Sequence, residues 1–365
     1  MTNKDTLFTV GPLEMDDEIL KMGSDKIPYF RTHEFSKLSI ESSELIKEFV
    51  YTSEKSDVVF LTCSGTGAME ASLMNAFTSD DKLLIVNGGT FGKRFVEISD
   101  VLDLKYTEIK LDAGMDLTNE KLNEFKNKGY TAVIINAHET STGVLYDLEM
   151  VGKFCKEEGM MFVVDSISSF LADKYYMDKW NIDITIISSQ KALALPPGLS
   201  IIVLSENAIN RVNNNYVKSI YFDLKLYLSN MKRGQTPFTP AVGIMMQLNK
   251  RLLQIKEQGI ENQVEYTSKI ARDFRNKIEK LPLIIKSERF SNTLTPVYVD
   301  EGLDAKVIYN RLKDEYGLVV NPNGGKLQSN MFRVGHIGNL TIKDNDKLIK
   351  SITQIIESEL KNNFK

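Results

Sequence analysis

The sequence predicts an α/β protein: a three-layer large domain with a mostly parallel sheet, followed by a smaller C-terminal α+β domain. Continuous apolar runs alternate with helical patterns in the middle of the chain, as expected for strands covered on both faces. After about residue 240 this rhythm changes, and the 365 residues exceed one ordinary domain. We expect the large domain over residues 15–245 and the small domain over 246–365, with residues 1–14 beside the small domain or at an active-site entrance.

The expected strands of the large domain are apolar runs at residues 82–89, 131–137, 160–165, 183–189 and 199–204. Helical patterns lie between strands at residues 67–77, where Met69 and Leu73 begin an inward stripe, and at 147–159. The second pattern ends at Gly159, a residue type favoured just after helix C-termini. Strand, helix and strand in this order predict three layers around a parallel sheet.

Longer helical stripes replace the strand–helix rhythm in the C-terminal third. The expected elements are helices at 248–259 and 264–281, strands at 293–300 and 331–338, and a last helix from about residue 341. Two helices before two separate strands are typical of an α+β unit.

Composition excludes several classes of function. The chain is 42% hydrophobic and 26% charged, and its net charge of −4 gives no basis for a nucleic-acid partner. Cys63 and Cys155 are too few for a disulfide framework, and the three histidines lack metal-ligand spacing, so we predict no metal site. We see no signal peptide and no apolar run long enough for a membrane span, and we therefore expect a cytoplasmic protein.

The segment TCSGTGAMEA (62–71) is the first candidate for chemistry, because a strand-like run enters a turn of small residues and leaves as a helix. Such a turn presents free backbone N–H groups at a helix N-terminus, where they can bind a phosphate. The alternative is an ordinary tight turn between a strand and a helix, which also needs small residues.

Asp165 and Lys191 are the other two candidates. Asp165 ends an apolar strand, where open α/β sheets bind their ligands, although it could instead cap the next helix. Lys191, in SSQKALALPPG, follows another apolar strand and could be a solvated surface lysine. Partial desolvation would instead favour the neutral amine that attacks carbonyl carbon. A phosphate-binding turn, an aspartate and a lysine together form the set that pyridoxal phosphate requires.

These motifs resemble those of the class V aminotransferases, which belong to the fold-type I pyridoxal-phosphate enzymes. The resemblance spans nearly the whole chain and rests on motifs in the same order. They are TVGPLEM, CSGTGAMEA, NGGTFGKR, NAHETSTGVL, VVDSISSF, SSQKALALPPG and FRVGHIG.

The resemblance implies pyridoxal 5′-phosphate as cofactor and a role for each matching residue. The phosphate would be held by Ser64, Gly65, Thr66, Gly67 and Gln190. Phe91 would stack on the pyridine ring, although it could be a core phenylalanine, and Thr140 would bond near the ring hydroxyl. Asp165 would pair with the ring nitrogen, and Lys191 would bind the cofactor covalently and carry the proton in a ping-pong transfer.

The resemblance also implies a homodimer with shared active sites. A second subunit would complete the phosphate site from GQTPFTPAVG (234–243), through Thr239 or Thr236. The tyrosine often found in this segment of related proteins is absent here.

Arg333 in FRVGHIG matches the arginine that binds the substrate anion, and Gly11 in TVGPLEM matches a substrate-site position. Guanidinium suits this role because it stays charged and meets a carboxylate or phosphonate with two parallel hydrogen bonds. The alternative is an ordinary arginine at a strand edge.

Within the family, the sequence most resembles the 2-aminoethylphosphonate–pyruvate transaminases, which form phosphonoacetaldehyde and L-alanine. The segments NGGTFGKR, HETSTG, SIYFDLKLY (219–227) and FRVGHIG carry this resemblance. Arg31, Lys93 and Arg94 are candidates for a second phosphonate ligand. The alternative is an alanine or serine aminotransferase acting on glyoxylate or pyruvate, and the direction of flux stays open.

Two other classes fit the sequence poorly. Cysteine desulfurases share the fold, but they place a histidine before the lysine and a reactive cysteine on a late loop. Here Gln190 precedes Lys191, and no cysteine follows Cys155. A cofactor-binding regulator would bring a DNA-binding module, for which the chain has neither length nor a basic segment.

Overall fold

The structure is a computed structural model, and it describes residues 5–300, 302–324 and 327–363. The helices are α1 (Asp17–Met22), α2 (His33–Val50), α3 (Gly65–Ala76), α4 (Thr90–Val101), α5 (Asn119–Asn123), α6 (Leu148–Glu158), α7 (Glu206–Asn214), α8 (Leu224–Met231), α9 (Val242–Gln258), α10 (Ile260–Ile278), α11 (Ala305–Tyr316) and α12 (Ile342–Asn363).

The strands are β1 (Thr6–Phe8), β2 (Asp57–Leu61), β3 (Lys82–Asn87), β4 (Lys105–Lys110), β5 (Ala132–Asn136), β6 (His138–Glu139), β7 (Val144–Leu145), β8 (Met161–Asp165), β9 (Ile184–Ser188), β10 (Ser200–Leu204), β11 (Leu283–Ile285), β12 (Leu294–Val299), β13 (Leu318–Pro322) and β14 (Met331–Gly335). Each apolar run predicted as a strand of the large domain forms one, within two residues at either end.

A seven-stranded sheet with the order β2-β10-β9-β8-β5-β3-β4 forms the larger layer. Its neighbouring strands pair in parallel, except that β10 is antiparallel to both β9 and β2. The prediction of a mostly parallel sheet is therefore confirmed. The carboxyl ends of β2, β3, β5, β8 and β9 consequently meet at one edge, where α/β sheets bind ligands.

A second sheet, with the order β1-β13-β14-β12-β11, forms the smaller unit with α10, α11 and α12. Its core includes Phe8, Phe274 and Phe332, and it is distinct from the larger core around the seven-stranded sheet. The strand from the N-terminal segment joins this sheet, because β1 pairs in parallel with β13. Residues 1–4 lie outside the described residues.

The position of α9 bears on the predicted division of the chain. A boundary after residue 245 assigns most of this helix to the small domain, but its Leu248, Leu252 and Ile255 pack in the larger core. Phe274 and Ile278 of α10 pack in the smaller core. We therefore propose that the small domain begins with α10.

Within the described residues, none of the helices combines the length and apolar character needed to cross a membrane.

Candidate active site

A cavity of about 150 Å³ opens at the carboxyl edge of the large sheet. It is lined by Ser64, Gly65, Thr66, Met69, Phe91, His138, Thr140, Asp165, Ile167, Ser168, Gln190 and Lys191. These residues belong to segments that are far apart in the sequence. The strands of the large sheet bring these segments together at one place. Most of the cofactor residues expected from the sequence are therefore gathered around one space.

The turn from β2 into α3 contributes the small residues of the cavity wall. Ser64 is the N-cap of α3, and its side chain makes no capping hydrogen bond. The first N–H groups of a helix have no acceptor within the helix, so they and the Ser64 hydroxyl are available to an anion. Gly65 is closely packed, because a Cβ atom there would lie 2.5 Å from Cδ1 of Ile167 and would force that side chain to move.

Gly67 lies two positions beyond Gly65 in α3 and is not part of the cavity wall. Its N–H donates to the Ser64 carbonyl at 2.9 Å. A Cβ atom on Gly67 would approach both side-chain atoms of Cys63 to 3.0 Å. The structure thus accounts for this glycine by packing inside the turn.

Asp165 ends β8 and is 5% exposed. Its Oδ1 atom accepts the backbone N–H of Ile167 at 2.8 Å. Burial nevertheless raises the pKa of Asp165 to about 7, against the opposing effects of this hydrogen bond and of Lys191. A cationic group in the cavity would favour the ionised carboxylate.

Lys191 lies three residues beyond the end of β9, and its carbonyl accepts the N–H of Ala194 at 2.7 Å. Burial lowers the pKa of Lys191 to about 8; the nearby Asp165 works against this shift and Arg333 adds to it. A substantial share of neutral amine is therefore present near pH 8, as a nucleophile requires.

Gly11 packs directly against this lysine. A Cβ atom on Gly11 would lie 2.7 Å from the Gln190 carbonyl oxygen and 3.0 Å from Cδ of Lys191. Its φ of +142° also disfavours any other residue type. The N-terminal segment therefore packs against the lysine stem, and Gly11 lies beside the candidate site.

Three further predicted residues line the same space. Phe91 lies in the first turn of α4, and Thr140 donates its hydroxyl to Ser168 Oγ at 2.9 Å. Gln190 accepts the Ser188 hydroxyl on Oε1 at 2.7 Å, which leaves its amide N–H groups for other partners.

The two threonines expected to serve a partner subunit do not line the cavity of their own chain. Thr236 is buried, and its hydroxyl donates to the Phe238 carbonyl at 2.6 Å. Thr239 is exposed. Of these two threonines, only Thr239 is thus on the surface, where a second subunit could contact it.

Arg333 on β14 reaches the cavity wall through its hydrogen bonds. Nη1 donates to the carbonyl of Thr140 and Nη2 to that of Pro322, each at 2.9 Å. Its Nε atom is buried and has no partner among the described residues. Burial lowers the pKa of Arg333, while the nearby Glu139 raises it.

The other cations considered for an anionic substrate have different partners. Arg31 donates to the carbonyls of Thr236 and Pro237 and so fixes that loop. Lys93 and Arg94 both pair with Glu97 on the exposed face of α4. Arg333 is accordingly the one of these four that contacts a residue lining the cavity.

His138 is a site residue that sequence reasoning missed, because only metal-ligand spacing was considered for the histidines. It is buried, and its Nδ1 atom lies 3.1 Å from Ser168 Oγ, while Nε2 has no partner among the described residues. Burial and the charges of Lys191 and Arg333 lower the pKa of His138 to about 3, so the ring is neutral. Its position in HETSTG, two residues before Thr140, was the available signal.

The site's donor set fits pyridoxal phosphate. The free N–H groups and hydroxyl of the β2–α3 turn suit a phosphate, and Asp165, which lines the same cavity, suits a cationic ring nitrogen. Lys191 supplies an amine with a lowered pKa, and the orphaned Nε2 of His138 offers a further polar contact.

Comparison with known proteins agrees with this chemistry. Residues 29–326 match the family described as Aminotransferase class-V, and the chain therefore belongs to the class V aminotransferases. It is a pyridoxal-phosphate-dependent enzyme, as the motifs predicted.

The chain is similar to individual aminotransferases over most of its length. The chain is 33% identical to an uncharacterized aminotransferase from Methanocaldococcus jannaschii, over 92% of this chain and 88% of the relative. It is 28% identical to the L-aspartate–glyoxylate aminotransferase of Paracoccus denitrificans, over 93% and 88% of the two chains. The crystal structure of an alanine–glyoxylate aminotransferase from Nostoc sp. superposes with a TM-score of 0.91 at 26% identity, covering 96% of this chain and 95% of that one.

The lowered pKa of Lys191 predicts its reactivity in the cofactor-free protein. Carbamylation by cyanate should reach half its maximal rate near pH 8, because only the neutral amine reacts. Asp165→Asn should move this midpoint below 8, since it removes the charge that raises the lysine pKa. Peptide mass spectrometry after labelling across a pH series measures both midpoints.

The exposed Lys93 provides the control, and its labelling should be the same in both proteins. A Lys191 midpoint near the ordinary value of 10.5 would contradict the prediction.

Proposed function

We propose that the protein transfers the amino group of a small amino acid, such as alanine or serine, to glyoxylate or pyruvate. The observation that carries this proposal is Arg333, whose buried Nε–H is unpartnered beside Thr140. A carboxylate has one charge and two oxygens, which one guanidinium satisfies with two parallel hydrogen bonds. The names of the relatives, which include an aspartate–glyoxylate and an alanine–glyoxylate aminotransferase, support the same substrate class.

2-Aminoethylphosphonate with pyruvate is the second candidate, and FRVGHIG is the observation in its favour. A phosphonate has three oxygens and up to two negative charges, so it would be better matched by a second cation. Arg31, Lys93 and Arg94 have other partners, as described above. The phosphonate substrate finds no support in the comparisons, and we rank it below the amino acid substrates.

The proposed roles of the residues follow from their chemistry. Bound pyridoxal phosphate supplies an aldehyde that links to amines and a ring that accepts electrons. Lys191 would hold the cofactor through its amine, which is free again when the amino substrate is bound. As a free neutral amine, Lys191 then accepts the proton from the substrate carbon that bears the nitrogen and returns a proton later. Asp165 keeps the ring nitrogen protonated, and Arg333 orients the substrate carboxylate.

The substrate pair can be identified from the yellow absorbance of the bound cofactor. Alanine or serine should bleach this absorbance by converting the cofactor to its amine form, and glyoxylate or pyruvate should restore it. A spectrophotometric titration of the purified protein with each compound measures both half-reactions separately.

2-Aminoethylphosphonate is the competing donor in the same titration. Bleaching by the phosphonate alone, followed by recovery with pyruvate, would favour the second candidate over our proposal. A protein that never turns yellow with pyridoxal phosphate would overturn the proposed role of Lys191.

Arg333→Lys should raise KM for both the amino acid and the keto acid while lowering kcat less. The lysine retains a charge but loses the second hydrogen bond, and losing one charge-assisted bond costs about 2 kcal/mol, or roughly 30-fold in KM. Steady-state kinetics with both substrates varied measures the effect.

Arg94→Lys is the matched control, because Arg94 pairs with Glu97 on the exposed face of α4. Its KM values should equal those of the wild type. An unchanged KM in Arg333→Lys would show that Arg333 does not bind the carboxylate.

We also propose a homodimer whose partner completes each phosphate site. Tyr29 and Ile220 are large apolar residues with 68% and 74% of their surface exposed. Residues near them in sequence contact the loop that carries Thr239: Arg31 donates to the Thr236 carbonyl, and Tyr221 stacks on Phe238. An apolar surface beside an exposed threonine supports a subunit contact at this place.

The double variant Tyr29→Glu/Ile220→Glu should therefore be monomeric and bind pyridoxal phosphate more weakly, because charges would be buried without partners in the interface. Sedimentation velocity measures the mass, and equilibrium dialysis measures cofactor binding.

Val101→Glu is the control, since Val101 is 79% exposed at the end of α4. It should leave the mass and the affinity unchanged. A dimeric double variant with wild-type affinity would contradict this interface.

A further inference from the structure

Helix α4 carries Phe91 into the cavity, yet it begins without a cap of its own. Its N-cap is Gly89, which has no side chain, and no side-chain capping bond is made from that position. The free N–H groups of a first helical turn need acceptors when they lie inside a protein. The question is which groups supply them.

The acceptors come from the hairpin of β6 and β7 (residues 138–145). Glu139 is fully buried, and its Oε2 atom accepts the N–H of Phe91 at 3.2 Å and that of Gly92 at 3.0 Å. The hydroxyl oxygen of Ser141 accepts the N–H of Thr90 at 3.0 Å. Three consecutive N–H groups of α4 thus donate hydrogen bonds to two side chains of the hairpin, those of Glu139 and Ser141.

Both carboxylate oxygens of Glu139 accept hydrogen bonds from the protein. Besides the helix, Oε2 accepts Nδ2 of Asn136 at 3.2 Å, and Oε1 accepts the N–H and the hydroxyl of Ser141. A carboxylate at a helix N-terminus is also favoured by the helix dipole. These contacts offset the cost of burying the charge.

The first glycines of the NGGTFG segment make this close approach possible. A Cβ atom on Gly89 would lie 2.7 Å from Cδ of Glu139 and 2.3 Å from Oγ of Ser141. The helix start is therefore pressed against the hairpin, and Glu139 holds the backbone N–H of the very residue whose ring lines the cavity.

The structure assigns to Glu139 the role of a positioning residue that fixes the Phe91 ring against the cofactor by capping α4 from another segment of the chain. Glu139 does not line the cavity, and its hydrogen bond to the Phe91 N–H joins it to a residue that does. This inference rests on the proposed placement of the cofactor ring beside Phe91.

Equilibrium dialysis of the cofactor-free protein against pyridoxal phosphate tests the inference without using activity. Glu139→Gln keeps the shape but directs an amide NH₂ towards N–H donors, so the dissociation constant should rise about 10-fold. Phe91→Leu should weaken binding to a similar extent. The double variant should bind within about 2-fold of Phe91→Leu, because Glu139 acts through the ring that is already missing.

Glu97→Gln is the control on the same helix, since Glu97 is exposed and pairs with Lys93 and Arg94. Its dissociation constant should match that of the wild type. Thermal unfolding of each cofactor-free variant separates loss of fold from loss of binding. If Glu139→Gln does not fold, Ser141→Ala replaces it, with a smaller weakening that should vanish in the Phe91→Leu background.

Wild-type affinity in a folded Glu139→Gln protein would overturn the assignment. Losses that multiply in the double variant, to about 100-fold, would also overturn it, because they would place the effect of Glu139 elsewhere than Phe91. Failure of the wild type itself to bind pyridoxal phosphate would instead contradict the proposed function.

Discussion

The enclosure of Lys191 and Asp165 at one edge of the large sheet is the constraint on which the rest of the site depends. Burial opposes the ionised form of each group, so it lowers the pKa of the lysine to about 8 and raises that of the aspartate to about 7. Between pH 8 and 10.5 the unfolded chain binds more protons at Lys191, so the stability contribution of this group rises with pH. Between pH 3.8 and 7 the folded chain binds more protons at Asp165, so its contribution falls as pH rises. Near pH 7 to 8 the cofactor-free protein is therefore destabilised by the burial of both ionised side chains. A ligand that links to the amine and presents a cation to the carboxylate would remove this destabilisation.

The central sheet could be predicted because its strands are buried on both faces. Residues 132–136 and 161–165 are uninterrupted apolar runs up to a polar last residue, and all of them are buried in the structure. Strand β4 gave no such signal, since it lies at the sheet edge with exposed Lys105 and Lys110. Helix α9 has a clear apolar stripe, but a stripe does not reveal which of two cores it faces, and this explains the shift of the proposed boundary.

The sequence indicated the residues expected to carry the chemistry of the site. It did not indicate the residues that hold those side chains in position. Asp165 and Lys191 could be inferred because each polar residue follows an apolar strand, a placement with a strong physical reason. His138 and Glu139 also follow an apolar strand, but nothing in the sequence shows which groups their side chains meet. Their roles depend on a hairpin meeting α4 and the segment of Ser168, and only the folded chain brings these parts together.

That hairpin also links the cavity to the smaller sheet, and in the proposed function it would hold substrate and cofactor in a fixed relation. The Thr140 side chain lines the cavity, while its carbonyl accepts Nη1 of Arg333 from the smaller sheet. Next to it, Ser141 binds the start of α4 through its hydroxyl and Asn323 through its carbonyl. Arg333 lies on a strand, whereas an arginine on a mobile loop would change its orientation whenever that loop moved. Because Arg333 is bonded to the same hairpin that holds the Phe91 N–H, it would present a carboxylate at a defined place relative to Lys191, as proton transfer at a single carbon requires.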